Sequence, residues 1–241
     1  SQSKSILVVT GETSGENHAA GLIRQLEVQN PQWHLEWFGS GGPQMASAGV
    51  ELLTDVSQLA AIGPWEALSH MGRYWKLYRR ILEESRKRQP QLALLVDFPE
   101  FNLILARRLK QMKIPICYFI GPQVWAWRPR RVHQIRRLVD LMLVIFPFEE
   151  EFYRRQGVKA HYVGNPSITL RKYLGPAQNG SDGDGTSSEV PVVALLPGSR
   201  EREVEQIFPV QLDAARCVAD RCPVQFWVIK APGITRSQLQ T

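Results

Sequence analysis

Short apolar runs alternate with stretches of helical spacing along the whole chain. Strands are expected at Ile6–Val9, Leu35–Phe38, Leu92–Val96, Ile116–Phe119, Leu141–Ile145, His161–Val163, Val192–Leu196 and Gln225–Ile229. The central ones, Leu-Ala-Leu-Leu-Val at 92–96 and Leu-Met-Leu-Val-Ile at 141–145, are apolar at consecutive positions. A strand buried on both faces needs that pattern, because helices cover both sides of a parallel sheet. Between the strands, helical patterns fit Asn17–Glu27, Trp65–Arg88, Asn102–Lys113 and Glu149–Gln156. The βαβ alternation predicts an α/β protein with an open, doubly wound parallel sheet.

The pattern breaks once. Residues 176–189 hold no large apolar side chain and many turn formers. Such a segment cannot bury enough surface to offset its ordering entropy. The expected organisation is therefore a first domain over 1–175, a flexible linker or insertion at 176–190, and a second unit over 191–241. With two strands and one helix the second unit is too small to close a core, so the chain reads as C-terminally cut short.

Composition narrows the class. The 241 residues are 44% hydrophobic and 22% charged, which excludes disorder, collagen and coiled coil. No apolar run reaches the roughly 18 to 20 residues of a spanning helix. No basic-then-apolar leader precedes the first strand, and three cysteines, Cys117, Cys217 and Cys222, fit a reduced, cytosolic protein. The net charge of +6 is unevenly spread. Residues 1–69 sum to −5, residues 70–160 carry 19 basic and 8 acidic side chains for +11, and residues 161–241 sum to zero. A basic middle third suits a polyanionic partner (nucleic acid, an anionic membrane surface or a phosphorylated substrate) and equally a solvated surface.

Four segments follow strands and carry candidate chemistry. Gly11-Glu12-Thr13-Ser14-Gly15-Glu16 opens a helix, where free N–H groups and close backbone approach favour a ligand. It is neither a dinucleotide nor a Walker A sequence. Glu12 and Glu16 disfavour a phosphate there and favour sugar hydroxyls or a base role, unless Thr13 and Ser14 only cap the helix. A second glycine loop, Gly39 to Pro43, follows the next strand in the same way. Asp97 ends the most apolar strand, placed for a general base or, alternatively, for capping the next helix, as is Glu100. Gln123-Val124-Trp125-Ala126-Trp127-Arg128 sets two tryptophans beside an arginine run through Arg130, Arg131, Arg136 and Arg137. Arginine forks suit phosphate and tryptophan suits a carbohydrate face or a membrane interface. Nucleic acid is the rival partner, but no DNA- or RNA-binding motif accompanies the run. Leu195 to Arg200 forms a Pro-Gly-Ser turn before a helix, with Arg200 placed for a phosphate or diphosphate.

The helix at Trp65–Arg88 carries Trp65, Leu68, Met71, Trp75, Tyr78 and Leu82 at three-to-four spacing, with cations over much of the remainder. Such a helix can lie on an anionic bilayer, with Trp65, Met71, Trp75, Arg79 and Arg80 facing the membrane. The alternative is that the stripe is the core-facing side of an ordinary helix.

Together these segments closely resemble the lipid-A-disaccharide synthases, bacterial glycosyltransferases of lipopolysaccharide synthesis. The resemblance rests on Gly11–Gly15, Gly-Gly-Pro-x-Met at 41–45, Asp97–Asn102, Pro122–Arg128, Phe146–Phe152, Val163–Pro166 and Leu195–Arg200, all in family order. It implies a two-domain, B-type glycosyltransferase with Rossmann-like domains, residues 191–241 beginning the nucleotide-sugar domain. It implies inverting transfer from UDP-2,3-diacylglucosamine to the 6-hydroxyl of 2,3-diacylglucosamine 1-phosphate, releasing UDP. Asp97 is then the base, and Glu12, Ser14, Asn102, Gln123, Trp125, Arg128 and Arg200 touch substrate. No cofactor is implied, and no metal-ligand cluster is seen, which suits arginine and helix dipoles as stabilisers of the leaving UDP. The implied place is the cytoplasmic side of the inner membrane, held peripherally. Glu16 stands where the family commonly has Asp, and Asn165 where it often has His. Two other readings stay open: a non-catalytic, membrane-associated lipid-binding module, and another UDP-hexosamine enzyme of the same architecture.

Overall fold

The computed structural model describes residues 3–11, 13–55, 67–126, 130–166, 190–199, 201–231 and 234–239. The chain divides into two compact units, residues 1–176 and 177–241. The expected linker at 176–190 lies outside the described residues except for Val190.

The first unit runs β1 (Lys4–Val9), α1 (Thr13–Gln29), β2 (Leu35–Gly41), α2 (Pro43–Ala46), β3 (Glu51–Asp55) and α3 (Ala67–Arg88). It continues with β4 (Leu92–Val96), α4 (Pro99–Gln111), β5 (Ile116–Phe119), α5 (Arg131–Leu138), β6 (Leu141–Val144), α6 (Pro147–Arg155) and β7 (Ala160–Tyr162). All strands pair in parallel, in the order β3-β2-β1-β4-β5-β6-β7. Strand order reverses between β1 and β4, and in open α/β sheets ligands bind beyond the carboxyl ends of the strands at such a point.

Both faces of the sheet are buried, as the consecutive apolar runs require. One face packs Leu7, Val9, Leu95 and Tyr118 against Leu77 and Ile81 of α3, Leu105 and Leu109 of α4, and Ile135 of α5. The other packs Ile6, Val8, Trp37, Leu94 and Val96 against Ala19, Ala20 and Ile23 of α1. At Gly39 only glycine fits, because its φ is +154° and a Cβ there falls 1.7 Å from the Val8 carbonyl oxygen.

Strand β3 was not among the expected strands. Its Glu-Leu-Leu-Thr-Asp sequence has charged ends and only two large apolar residues, and it forms the sheet edge. Arg88 secures that edge through a two-pronged ion pair with Glu51 (2.7 and 2.6 Å), while its guanidinium lies 4.7 Å from the Phe38 ring centre. Helices α1, α4 and α6 begin two to four residues earlier than expected, α4 and α6 each opening with proline, whose fixed φ suits a first turn.

The second unit holds β8 (Val192–Leu195), α7 (Glu201–Ala219), β9 (Gln225–Val228) and a short 3-10 turn at Ser237–Leu239. Strands β8 and β9 pair in parallel. Val204, Phe208 and Ile234 form a small core, while Trp227 and Ile229 stay exposed. Cys217 and Cys222 are exposed in this unit, whereas Cys117 is buried in β5, where burial pushes its thiol up to about 12. No described helix is long and apolar enough to cross a membrane.

Candidate active site

The loops after β1 and β4 meet where the strand order reverses, and the loop after β5 follows the neighbouring strand. The loop after β4 is the most constrained. Asp97 and Phe98 both adopt left-handed backbone, with φ of 48° and 50°. Two successive non-glycine residues in that region cost of order 1–3 kcal/mol each and persist only where surrounding contacts fix them. Here the Asp97 carbonyl accepts two donors, Asn102 Nδ2 at 2.7 Å and Tyr118 Oη at 2.7 Å. Asn102 Nδ2 also reaches the Val96 carbonyl at 3.3 Å, and the Asn102 amide N–H donates to the Phe98 carbonyl at 3.0 Å. The partly buried Asp97 side chain thus projects from a fixed backbone at the carboxyl end of β4.

Asn102 differs from expectation. It is fully buried, and its side-chain amide holds the loop after β4 from within. Tyr118, which no sequence motif flagged, shares that task. Burial, together with the Asp97 charge, pushes its hydroxyl well above the usual range, so it remains a proton donor. As for capping, the N-cap position of α4 falls on Phe98, and Glu100 is engaged by Arg131 at 2.8 and 2.7 Å. Arg131, expected among the anion-binding arginines, is thereby an anchor between α4 and α5.

At the end of β1 the chain passes Gly11 beneath the Phe98 ring and enters α1. Ser14 is exposed in the first turn, while Glu12 lies outside the described residues. Glu16 does not offer itself to a sugar. It is buried, and its Oε1 accepts the Gln44 backbone N–H at 2.6 Å, pinning the start of α2. Thr10 Oγ1 donates to the Ser40 carbonyl (3.3 Å) and Ser40 Oγ to the Thr10 carbonyl (3.1 Å), fastening the ends of β1 and β2 together.

The loop after β5 presents Gln123, which is exposed, and Trp125, which is 39% exposed. Tyr153 Oη donates to the Pro122 carbonyl at 3.0 Å, and Trp125 Nε1 donates to Glu149 Oε1 at 3.0 Å. The Phe146–Phe152 motif thus braces the Trp125 loop, a link that sequence spacing alone does not reveal. Arg128 and Arg200 lie outside the described residues. Among the described residues, no three His, Cys, Asp or Glu side chains gather as metal ligands.

Helix α3 corrects the expected division of its surface. Leu77, Ile81 and Leu82 are buried, and Tyr74 and Tyr78 pack on Phe101, with Tyr74 also 5.8 Å from the Phe98 ring. The core-facing stripe is therefore the ordinary one. Trp75 is not in it: it is 59% exposed, on the same face as the exposed cations Lys76, Arg79 and Arg80. Trp65 and the Met71 side chain lie outside the described residues.

The parallel order and its reversal define a class, a doubly wound Rossmann-like α/β unit, the fold found in B-type glycosyltransferases and related epimerases. The solved structure of UDP-GlcNAc 2-epimerase from Neisseria meningitidis bound to UDP-GlcNAc aligns with a TM-score of 0.62 at 13% identity, covering 98% of this chain and 68% of that one. The calicheamicin glycosyltransferase CalG4 aligns with a TM-score of 0.55 at 14% identity, covering 100% of this chain and 69% of that one. These likenesses concern the fold. The sequence goes further: the family profile described as lipid-A-disaccharide synthetase matches residues 6–239. Lipid-A-disaccharide synthase of Myxococcus xanthus is 43% identical over 235 residues, 97% of this chain and 61% of that protein. The Geobacter metallireducens enzyme is 38% identical over 240 residues, 98% of this chain and 61% of that protein. The chain belongs to the lipid-A-disaccharide synthase family and spans about three fifths of the length of these curated relatives.

Proposed function

We propose that the protein carrying this chain joins UDP-2,3-diacylglucosamine to 2,3-diacylglucosamine 1-phosphate, giving the lipid A disaccharide 1-phosphate and UDP. The observation that carries this reading is Asp97, held at the strand-order reversal on a backbone fixed by Asn102 and Tyr118. The acceptor's 6-hydroxyl gives its proton to the Asp97 carboxylate as its oxygen attacks the anomeric carbon. The bond from that carbon to the diphosphate oxygen breaks on the opposite face, inverting the configuration, and UDP leaves with the electron pair. Arg200 and Arg128 are assigned to the phosphates, where a planar guanidinium binds two oxygens at once. Glu12, Ser14, Gln123 and Trp125 are assigned to the acylated sugar substrates. Residues 1–175 serve as the acceptor and membrane side, and residues 191–241 begin the nucleotide-sugar side.

The exposed Trp75, Lys76, Arg79 and Arg80 support peripheral docking on the anionic, cytoplasmic face of the inner membrane, where acylated substrates reside. The test of the chemistry is Asp97→Asn in the intact protein. Turnover should fall by roughly 10²- to 10⁴-fold with acceptor binding largely kept. Wild-type turnover by the Asn variant removes Asp97 from the mechanism.

A further inference from the structure

Glu149 is a carboxylate held away from water with both oxygens engaged. It sits in the first turn of α6 and is 4% exposed. Its Oε2 accepts the Phe146 backbone N–H at 3.1 Å, the return half of a capping box. Capping needs only that oxygen. The other, Oε1, accepts the Trp125 indole N–H at 3.0 Å, from a loop 24 residues earlier in the chain. Both partners are donors, so the position calls for an acceptor on each side, which an ionised carboxylate provides and a carboxamide does not. Above the carboxylate, Trp125 meets Phe148 edge to face at 4.9 Å and 87°, and Phe148 stacks on Phe146 at 5.7 Å. Phe148 is 50% exposed and Trp125 39%, so the loop after β5 and the first turn of α6 share one accessible aromatic surface whose buried support is Glu149.

We infer that Glu149 is a positioning residue, fixing the Trp125 indole so that Trp125 and Phe148 together form a subsite for a hydrocarbon chain of the acylated sugar. The inference rests on the reading that the loop after β5 touches substrate. A flat pyranose stacks on one ring only, whereas a methylene chain follows the angle between two perpendicular rings and touches both. Rigid aromatic surface also contributes contact area at small cost in side-chain freedom.

The test combines a spectroscopic and a kinetic arm on the intact protein. The Trp125 indole N–H resonance is assigned by its disappearance in Trp125→Phe. In Glu149→Gln that resonance alone should move upfield and exchange with solvent about tenfold faster, since a carboxylate acceptor is lost. An unchanged Trp125 signal, or an equal change in every indole, overturns the positioning role. In the kinetic arm, Glu149→Gln and Trp125→Phe should each raise KM for the acylated acceptor about tenfold with kcat little changed, and the double variant should be no worse. The difference from wild type should vanish with an acceptor analogue carrying shortened acyl chains; an undiminished difference overturns the hydrocarbon subsite. If Trp125→Phe leaves KM unchanged, the functional reading of the loop fails, and this inference with it. If Trp125→Phe raises KM while Glu149→Gln changes neither the indole nor KM, this inference alone fails. Should Glu149→Gln not fold, Phe148→Ser at its half-exposed position should raise KM to the same degree, and an unchanged KM overturns the subsite.

Discussion

The ring of Phe98 occupies the space that a side chain on residue 11 would need: a Cβ built on Gly11 falls 2.2 Å from Phe98 Cδ1. The glycine after β1 and the left-handed residue after β4 therefore belong to one packing unit across the strand-order reversal. Gly11→Ala should force Phe98 from its place, with a loss of about 1–3 kcal/mol on overpacking grounds and a fall in turnover. Urea unfolding of Gly11→Ala, Phe98→Ala and the double variant checks this. Removing the ring should relieve part of the glycine defect, and strictly additive losses would show that the two positions do not meet.

Tyr118→Phe deletes one of the two donors to the Asp97 carbonyl and leaves the ring in place. The expected stability loss is about 1 kcal/mol, the usual net worth of such a hydrogen bond. If Asp97 is the base, as proposed, turnover should fall more than stability alone explains, with KM nearly unchanged, because Asp97 is displaced rather than the binding surface. Steady-state kinetics beside thermal unfolding separates the two effects.

The Arg88 pair makes a pH prediction. The hydrogen bond from Arg88 lowers the Glu51 carboxyl below its ordinary value of 4.5. A lowered folded-state pKa stabilises the fold above the ordinary carboxylate value, and that contribution is lost as pH falls through the depressed value. Glu51 is largely exposed, so the effect is a fraction of a kcal/mol by analogy with about 0–1 kcal/mol for surface pairs. Wild type should exceed Glu51→Gln in stability near neutrality, and the difference should disappear as pH falls through the depressed value. A difference that persists at low pH would assign it to packing.

On the surface of α3, Trp75→Glu combined with Arg79→Glu and Arg80→Glu should abolish co-sedimentation with phosphatidylglycerol vesicles. All three positions are exposed, so circular dichroism and Tm should be little changed. Binding by wild type should weaken with salt, as the Debye length shortens to about 8 Å at physiological ionic strength. Equal binding to neutral phosphatidylcholine vesicles would refute an electrostatic dock.

The sheet was legible in sequence because its central strands are short, apolar without interruption and separated by helical stretches, as strands buried on both faces require. Edge strand β3 was not, since Glu51 and Asp55 at its ends mask a strand secured by Arg88 from a distant helix. Asp97 could be placed by its position after a buried strand, but Tyr118 and Glu149 could not. Their roles arise from contacts spanning 21 and 24 residues, which no local spacing encodes. Glu16 shows the opposite error, a carboxylate that looks available in a glycine loop until its buried contact with Gln44 is seen. Trp75 fell at the helical spacing of a core stripe, yet one position's rotation leaves it on the cationic face.

The three cysteines divide between the two units by accessibility, and this provides a built-in pair of reporters. A thiol reagent at neutral pH should label Cys217 and Cys222 in the native protein, because both are exposed. Cys117 should stay silent, sealed within β5 and with a thiolate disfavoured by a value pushed up to about 12. Its labelling rate would then measure how often the parallel sheet opens, separately from the state of residues 177–241. Substrate added at saturating concentration would slow that clock only where it binds the first unit, so one unlabelled cysteine can locate a ligand without any assay of turnover.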